Sequence, residues 1–398
     1  MKEKFLRELA DIQTGPFGSQ LHKEDYVADG TPIVTVEHLG NKMFSEQNLP
    51  RVSNTDKNRL KKYVLKQGDI VFSRVGSVDR CSYVDQKHDG WMFSGRCLRV
   101  RPTSEIDSEY LYYYFCLEET KQFVRNIAVG ATMPSINTKL LGEVVVTFPE
   151  LEQQKRISGI LSAIDSKIEV NQKINDNLEQ QAVALFKSWF VDFSLFGGTV
   201  PENWDDTTLE NITTLITRGI APKYSDNSDQ TVVNQKCIRN HTIDLSLARP
   251  HTPKAINEKW LKFGDLLINS TGDGTLGRVA QVWFAPKALT VDSHVTIVRP
   301  AREELIFYIG LWGILHEKEI ESLHTGSTGQ TELPRDRVKM LKLLLPDDSS
   351  LSRFNSIIAP MTSTIISNQE ENQKLANLRD TLLPKLMSGV IDVANVQL

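Results

Sequence analysis

Cysteine is scarce in this chain. Four residues of 398 (Cys81, Cys97, Cys116 and Cys237) are scattered, and none has a CxxC spacing. That excludes a disulfide scaffold and any cysteine-based zinc site, so the four read as reduced, mostly buried thiols of a cytosolic protein. No apolar run approaches the ~20 residues of a membrane-spanning helix. The opening MKEKFLRELADIQ also lacks the apolar core of a secretory signal. The eight histidines include no HExxH or comparable metal spacing, which argues against a metalloenzyme. Base methylation needs a catalytic loop such as NPPY or a Pro-Cys nucleophile, and neither is present. Charge of one sign is missing too: the net charge is −4, so any nucleic-acid site has to be a local patch on a near-neutral body.

What is present is ordinary in composition and unusual in order. A 40% hydrophobic content argues for a chain that folds in water, and the length argues for two or more folding units. The order is a duplication. LKQGDIVFS from Leu65 matches LKFGDLLIN from Leu261, and VRP at 100–102 matches VRP at 298–300. GATMPSINTKL at 130–140 corresponds loosely to GQTELPRDRVKM at 329–340. VVVTFPELEQQKRISGIL from Val144 corresponds to KLLLPDDSSLSRFNSII from Lys342. The offset stays between 196 and 200, a register that chance matches would not keep.

Within each half, short β-rich runs punctuated by Gly, Pro, Asn and Asp surround one helical segment, the pattern of an α+β domain. The boundaries read as globular domains at 1–150 and 199–346, followed by helical regions at 151–198 and 347–398. In the first helical region Ile157, Leu161, Ile164, Ile168, Asn171, Asn175, Leu178, Ala182, Leu185 and Trp189 keep a 4-3-4-3 spacing, a coiled-coil seam. Phe354, Ile358, Met361, Ile365, Asn368, Asn372 and Leu375 repeat it, with Pro360 expected to kink that helix or shift its start. Asparagines in a seam weaken it but set register, so Asn171 and Asn175 are expected to face Asn368 and Asn372 in an antiparallel pair. From Ile157 to Trp189 the rod is about 50 Å long.

Chemical motifs are few. Gly272, Gly274 and Gly277 in TGDGTLG have the spacing of a dinucleotide-binding loop, but RVAQVWF after them is β-rich where that loop must open a helix. No cofactor is therefore expected. Asp165 and Lys167 mimic part of a nuclease signature, yet on a coiled coil they read as solvated outer positions. Basic residues gather at Arg51, Lys57, Arg59, Lys61, Lys62 and Lys66, and again at Arg239, His241, Arg249, His251 and Lys254. Both groups precede the GD(I/L) strand of their repeat, which gives weight to a shared phosphate-contacting role.

Taken together, TGPFGSQLHKEDY at 14–26, QGDIVFSRVGS, FGDLLINSTGDGTLG, GATMPSINTKLL with TFPELEQQKRI, and LRDTLLPKLMSG at 378–389 resemble the specificity subunit of a type I restriction-modification system. The resemblance covers nearly the whole chain. It implies a non-catalytic protein with two target-recognition domains, each reading half of a split double-stranded DNA target. It further implies two spacer helices, methyltransferase subunits as docking partners, and restriction endonuclease subunits joined through the complex. The second half departs from the family pattern at GSTGQTELPRDRVKM and DDSSLSRF.

On that reading DNA is expected at the glycine-rich loops and basic segments. The candidates in the first domain are Phe17, Ser19, Lys23, Lys61, Lys62, Ser73, Arg74 and Ser77. Those in the second are Arg218, Lys223, Arg239, Asn269, Thr271 and Arg278. Two other readings use the same residues: a coiled-coil scaffold with two protein-binding domains, and a nucleotide-cofactor enzyme built on the Gly272–Gly277 loop.

Overall fold

The computed structural model describes residues 1–18, 20–40, 42–326 and 331–393. The chain forms two compact units, Met1–Val170 with Glu371–Leu398, and Asn171–Glu370.

In the first unit the main strands are β1 (Lys2–Phe5), β2 (Ala10–Thr14), β3 (Thr31–Val34), β4 (Ile70–Ser73), β5 (Cys81–Tyr83), β6 (Met92–Phe93), β7 (Cys97–Pro102) and β8 (Val145–Phe148). An antiparallel sheet runs in the order β2-β7-β4-β5. β3 and β6 pair in parallel, and β1 pairs with β8. β4 is buried at all four positions, which is why DIVFS reads as a continuous apolar run rather than an alternating one. Helices α1 (Ser108–Cys116) and α2 (Glu118–Ile127) follow β7, and α3 (Leu151–Phe190) follows β8.

The second unit repeats this plan. Its strands are β9 (Asp205–Thr208), β10 (Thr213–Arg218), β11 (Thr231–Val233), β12 (Ile238–Arg239), β13 (Thr242–Ile243), β14 (Leu266–Asn269), β15 (Val279–Gln281), β16 (Leu289–Val291), β17 (Val295–Pro300) and β18 (Lys342–Leu345). The four-stranded order is β10-β17-β14-β15, β11 and β16 are parallel, and β9 pairs with β18. Helices α4 (Ile306–Leu315) and α5 (Glu317–Ser322) follow β17, and α6 (Asp348–Met387) follows β18. Apart from the added β12–β13 hairpin, these pairings repeat those named in the first unit. The chain is thus an α+β protein with an internal tandem duplication.

The repeated GD and VRP motifs meet as an ion pair. Arg101 Nε and Nη2 each donate to Asp69 at 2.7 Å, and Arg299 Nε and Nη2 donate to Asp265 at 2.8 and 2.7 Å. Both aspartates are buried, and each also accepts a backbone N–H, from Lys66 and Lys262 respectively. The arginines' remaining donors hold the segment before the GD strand: Arg101 bonds to Val64 O, and Arg299 to Glu258 O and Trp260 O. Bidentate pairing fixes these segments in angle as well as in distance.

α3 and α6 pair antiparallel. In the first unit Ile157 and Leu161 enter a core with Tyr110, Phe115, Leu383 and Leu386. In the second, Phe186 and Trp189 pack on Phe354. Asn368 Nδ2 donates to Asn175 Oδ1 at 2.8 Å, the amide partnership that the seam spacing implies, and Asn171 is fully buried. Asn372 Nδ2 bonds to Ile168 O at 3.4 Å.

Two expectations for the rods need correction. Of the two effects expected of Pro360, the shifted start is overturned, because α6 begins at Asp348 and continues through it. A proline costs its helix one N–H bond and some crowding, and the flanking turns, packed through Phe354 and Ile358, keep the helix intact. Asp165 is not a solvated position. It is nearly buried, ion-paired to Arg379 at 2.8 Å, and accepts the Tyr113 hydroxyl at 2.6 Å. It therefore ties α1 and α3 to the LRD segment of α6.

Candidate nucleic-acid interface

In the first unit the loop after β2 lies against the turn between β6 and β7. A Cβ on Gly15 would sit 2.1 Å from Ser94 O, and one on Gly95 would sit 2.3 Å from Pro16 O, so both positions require glycine. Phe17 follows and is 52% exposed. The Arg74 guanidinium lies 5.5 Å from its ring centroid and donates to Gly95 O at 3.1 Å, while Arg74 Nε is buried with no partner among the described residues. Ser77, at the tip of the same loop, is exposed.

The loop after β2 is held from its other side by residues that the sequence did not single out together. Arg59 donates to Gln20 O at 2.9 Å and Tyr63 to Gln20 Oε1 at 2.6 Å. Lys61 and Lys62 are exposed on the single helical turn that ends at Tyr63, with Lys62 Nζ 4.8 Å from the Tyr63 ring centroid. Phe17, Lys61, Lys62 and Arg74 are thus linked through one loop, by pairings that join residues tens of positions apart. Ser19 lies outside the described residues. Lys23 falls on the short helical turn Lys23–Asp25, and its side chain is also outside them.

Ser73 departs from its expected role. It is 1% exposed and its hydroxyl donates to Val75 O at 2.8 Å, so it braces the loop from inside. Asn269 in the second unit is likewise fully buried, with Nδ2 on Gln235 O at 3.0 Å. Both residues end a fully buried central strand, where the side chain faces the core.

The other second-unit candidates divide. Arg218 is engaged, with Nη1 2.6 Å from Glu332 and Nη2 donating to Leu333 O at 2.8 Å. Lys223 and Arg239 are exposed, whereas Arg278 is half-buried. Thr271 Oγ1 lies 2.7 Å from His294 Nδ1. The Gly272–Gly277 loop runs into strand β15, so it opens no helix. A Cβ on Gly277 would meet Glu321 at 2.8 Å, so that glycine serves close packing.

The second basic cluster is not one surface. His251 is fully buried, Lys254 donates to Ala221 O, and Arg249 stacks 3.7 Å over the half-exposed Tyr224 ring. His241 belongs to a separate hairpin, β12–β13, whose two turn residues Asn240 and His241 both have positive φ. Its ring is gripped by Glu179 of α3 at Nδ1 and lies 3.7 Å from Glu317 of α5 at Nε2.

Burial alone would push the His241 pKa down, but the two carboxylates prevail and hold it up to about 9. Because the folded value is raised, the stabilisation is complete below about pH 6.5, the free value, and is lost as pH rises towards 9. Thermal melts should show an alkaline loss on the order of 1–2 kcal/mol over that window after solvent screening. H241Q should lack that component. An identical pH profile in wild type and H241Q would disprove the clamp.

Two domains of one basic topology, each with a loop-bearing sheet end and a share of paired long helices, define a duplicated two-domain protein. Residues 1–180 match the family model of the type I restriction modification DNA specificity domain. The chain is 28% identical over 320 residues to the type I restriction enzyme MjaIX specificity subunit of Methanocaldococcus jannaschii, covering 74% of this chain and 71% of that one. It is 23% identical over 403 residues to the HindI specificity subunit of Haemophilus influenzae, covering 83% and 88%. In fold it is similar to the crystal structure of the type I restriction-modification system S subunit from M. genitalium. The TM-score is 0.55 at 17% identity, over 97% of this chain and 95% of that one. The family match and these relatives support reading the chain as a specificity subunit of a type I restriction-modification system, the family that its motifs resemble. Among the described residues no helix is long and apolar enough to cross a membrane.

Proposed function

We propose that this chain selects a bipartite double-stranded DNA target, with one half-site read by residues 1–150 and the other by residues 199–346. It docks methyltransferase subunits and, through the assembled complex, restriction endonuclease subunits. The observation that carries this reading is the duplicated sheet, which presents the same set of loops in both units. A protein with two equivalent reading heads suits a target with two specified parts.

Within the heads, we assign Phe17, Arg74 and Ser77 to base edges, and Lys61 and Lys62 to phosphates. Thr271, Arg278, Lys223 and Arg239 take these roles in the second domain. Arg218, already paired with Glu332, acts mainly through the loop that it holds.

The test uses the assembled complex of this chain with its methyltransferase subunits and a DNA library randomised at both half-sites. Wild type should methylate one pair of separated sequences, and the chain by itself should transfer no methyl group. R74A should lose about 1–3 kcal/mol of discrimination, roughly 5- to 150-fold, in one half-site alone. Equal methylation of all sequences by the wild-type complex would overturn the proposal.

A further inference from the structure

Backbone hydrogen bonds give structural meaning to an equivalence that the VRP register of the repeat aligns but residue type does not flag. In the first unit the turn between β6 and β7 is closed by Cys97 N–H donating to Ser94 O at 2.9 Å. In the second, the turn between β16 and β17 is closed by Val295 N–H donating to Asp292 O at 3.2 Å. The loop after the first sheet strand bonds to the far end of each turn, Gly15 N to Cys97 O and Gly219 N to Val295 O. The loop after the central strand bonds to the turn's third residue: Arg74 N to Arg96 O and Ser270 N to His294 O, both at 2.8 Å. Arg96 and His294 therefore occupy one structural position, 198 residues apart, between the two loops on which DNA reading is placed in each domain.

Both side chains are exposed. The Arg96 side chain makes no hydrogen bond and no ion pair among the described residues. Most other arginines of this domain do, Arg99 with Asp11, Arg101 with Asp69 and Arg125 with Asp79 among them. His294 is held at one nitrogen only. Nδ1 lies 2.7 Å from Thr271 Oγ1, which leaves Nε2 as the ring nitrogen available to an outside partner. Its backbone N–H is fixed on Asp292 Oδ1 at 2.9 Å.

The turn beneath them is rigid. In the second unit a Cβ on Gly219 would sit 1.9 Å from Val291 O and 2.5 Å from Asp292 O, the latter the counterpart of the Gly15 contact with Ser94 O in the first. A donor on a turn locked from both sides loses little freedom on binding, the condition for geometric selectivity rather than adaptable contact.

We propose that Arg96 and His294 are paired specificity-determining residues, each reading a base edge of its own half-site in the major groove. Arg96 is suited to bidentate donation to guanine O6 and N7, and His294 to a single hydrogen bond through Nε2. The proposal rests on the DNA-reading function above and adds a residue to each head.

The experiment again uses the complex with methyltransferase subunits and the doubly randomised library, with thermal melts confirming that each variant folds. R96A should reduce discrimination roughly 5- to 150-fold at one base position of one half-site, leaving the other half-site as in wild type. H294A should do the same in the other half-site. R96K should keep most of the affinity but not the base preference, since an ammonium is a point donor without the fork. Unchanged selection in R96A and H294A would overturn the proposal, as would weakening that is equal on all sequences and marks phosphate contact alone. A wild-type complex that selects no sequence would instead remove the function on which it rests.

Discussion

Replacing Arg299 by methionine is expected to destabilise residues 171–370 by about 3–5 kcal/mol, the cost of leaving a buried charge without its partner. Asp265 would keep one backbone donor, Lys262 N–H, and the carbonyls of Glu258 and Trp260 would each lose theirs. For a unit of this size the loss corresponds to roughly 6–20 °C in melting temperature. The double variant R299M/D265L should recover a substantial part of it, because an apolar pair removes the stranded carboxylate. Differential scanning calorimetry of wild type and the two variants decides this. An R299M melt within a degree or two of wild type would show that the pair is not the anchor described here. R101M should cost less, since Arg101 is 30% exposed in its side chain whereas Arg299 is 11% exposed.

Removing one heptad from each long helix is expected to change the spacing of the DNA target and leave its bases alone. Asn175 bonds to Asn368, so the segments centred on them, 172–178 and 365–371, form the matched deletion. Each helix then shortens by roughly 10 Å, about three base-pair steps of ~3.4 Å. The seven-residue length preserves the seam, and Asn171 and Asn372 remain to specify it. In a methylation assay across a spacer series, the deleted complex should prefer a spacer about three base pairs shorter, with both half-site sequences kept. A folded, active deletion complex with the original spacer optimum would leave the helices as docking surfaces and not a ruler.

How much of this was legible depended on the range of the interaction. The heptad seam is written in spacings of three and four, so its burial pattern and the Asn175–Asn368 partnership could be read from residues alone. The duplication was equally visible, because LKQGDIVFS and LKFGDLLIN carry the same buried strand. What VRP does was not visible: its arginine and the aspartate of GD meet only when β7 and β17 lie beside the central strands. Asp165 was misread because Tyr113 and Arg379, which occupy it, lie 52 and 214 residues away.

The interface was less legible than the fold. Chemical type placed Phe17, Arg74 and the lysines, but it could not separate Ser77, at an exposed tip, from Ser73, turned inward at a strand end. Nor could it separate the buried His251 from its basic neighbours. Arg96 and His294 are aligned by the VRP offset of 198, but they differ in residue type, and the backbone pattern around them is what shows the shared place in the fold.

The first unit draws its core from both ends of the numbering: Leu6, Leu9 and Tyr110 pack with Leu383, Leu386, Met387 and Val393. Asn171–Glu370, in contrast, is one uninterrupted stretch. During synthesis at roughly 5–20 residues per second, on the order of 10–40 s separate the emergence of Val170 from that of Glu371. The domain made first is therefore the last to close. Until then its unfinished apolar face is open to chaperones, and the central stretch has time to fold before the outer one is sealed.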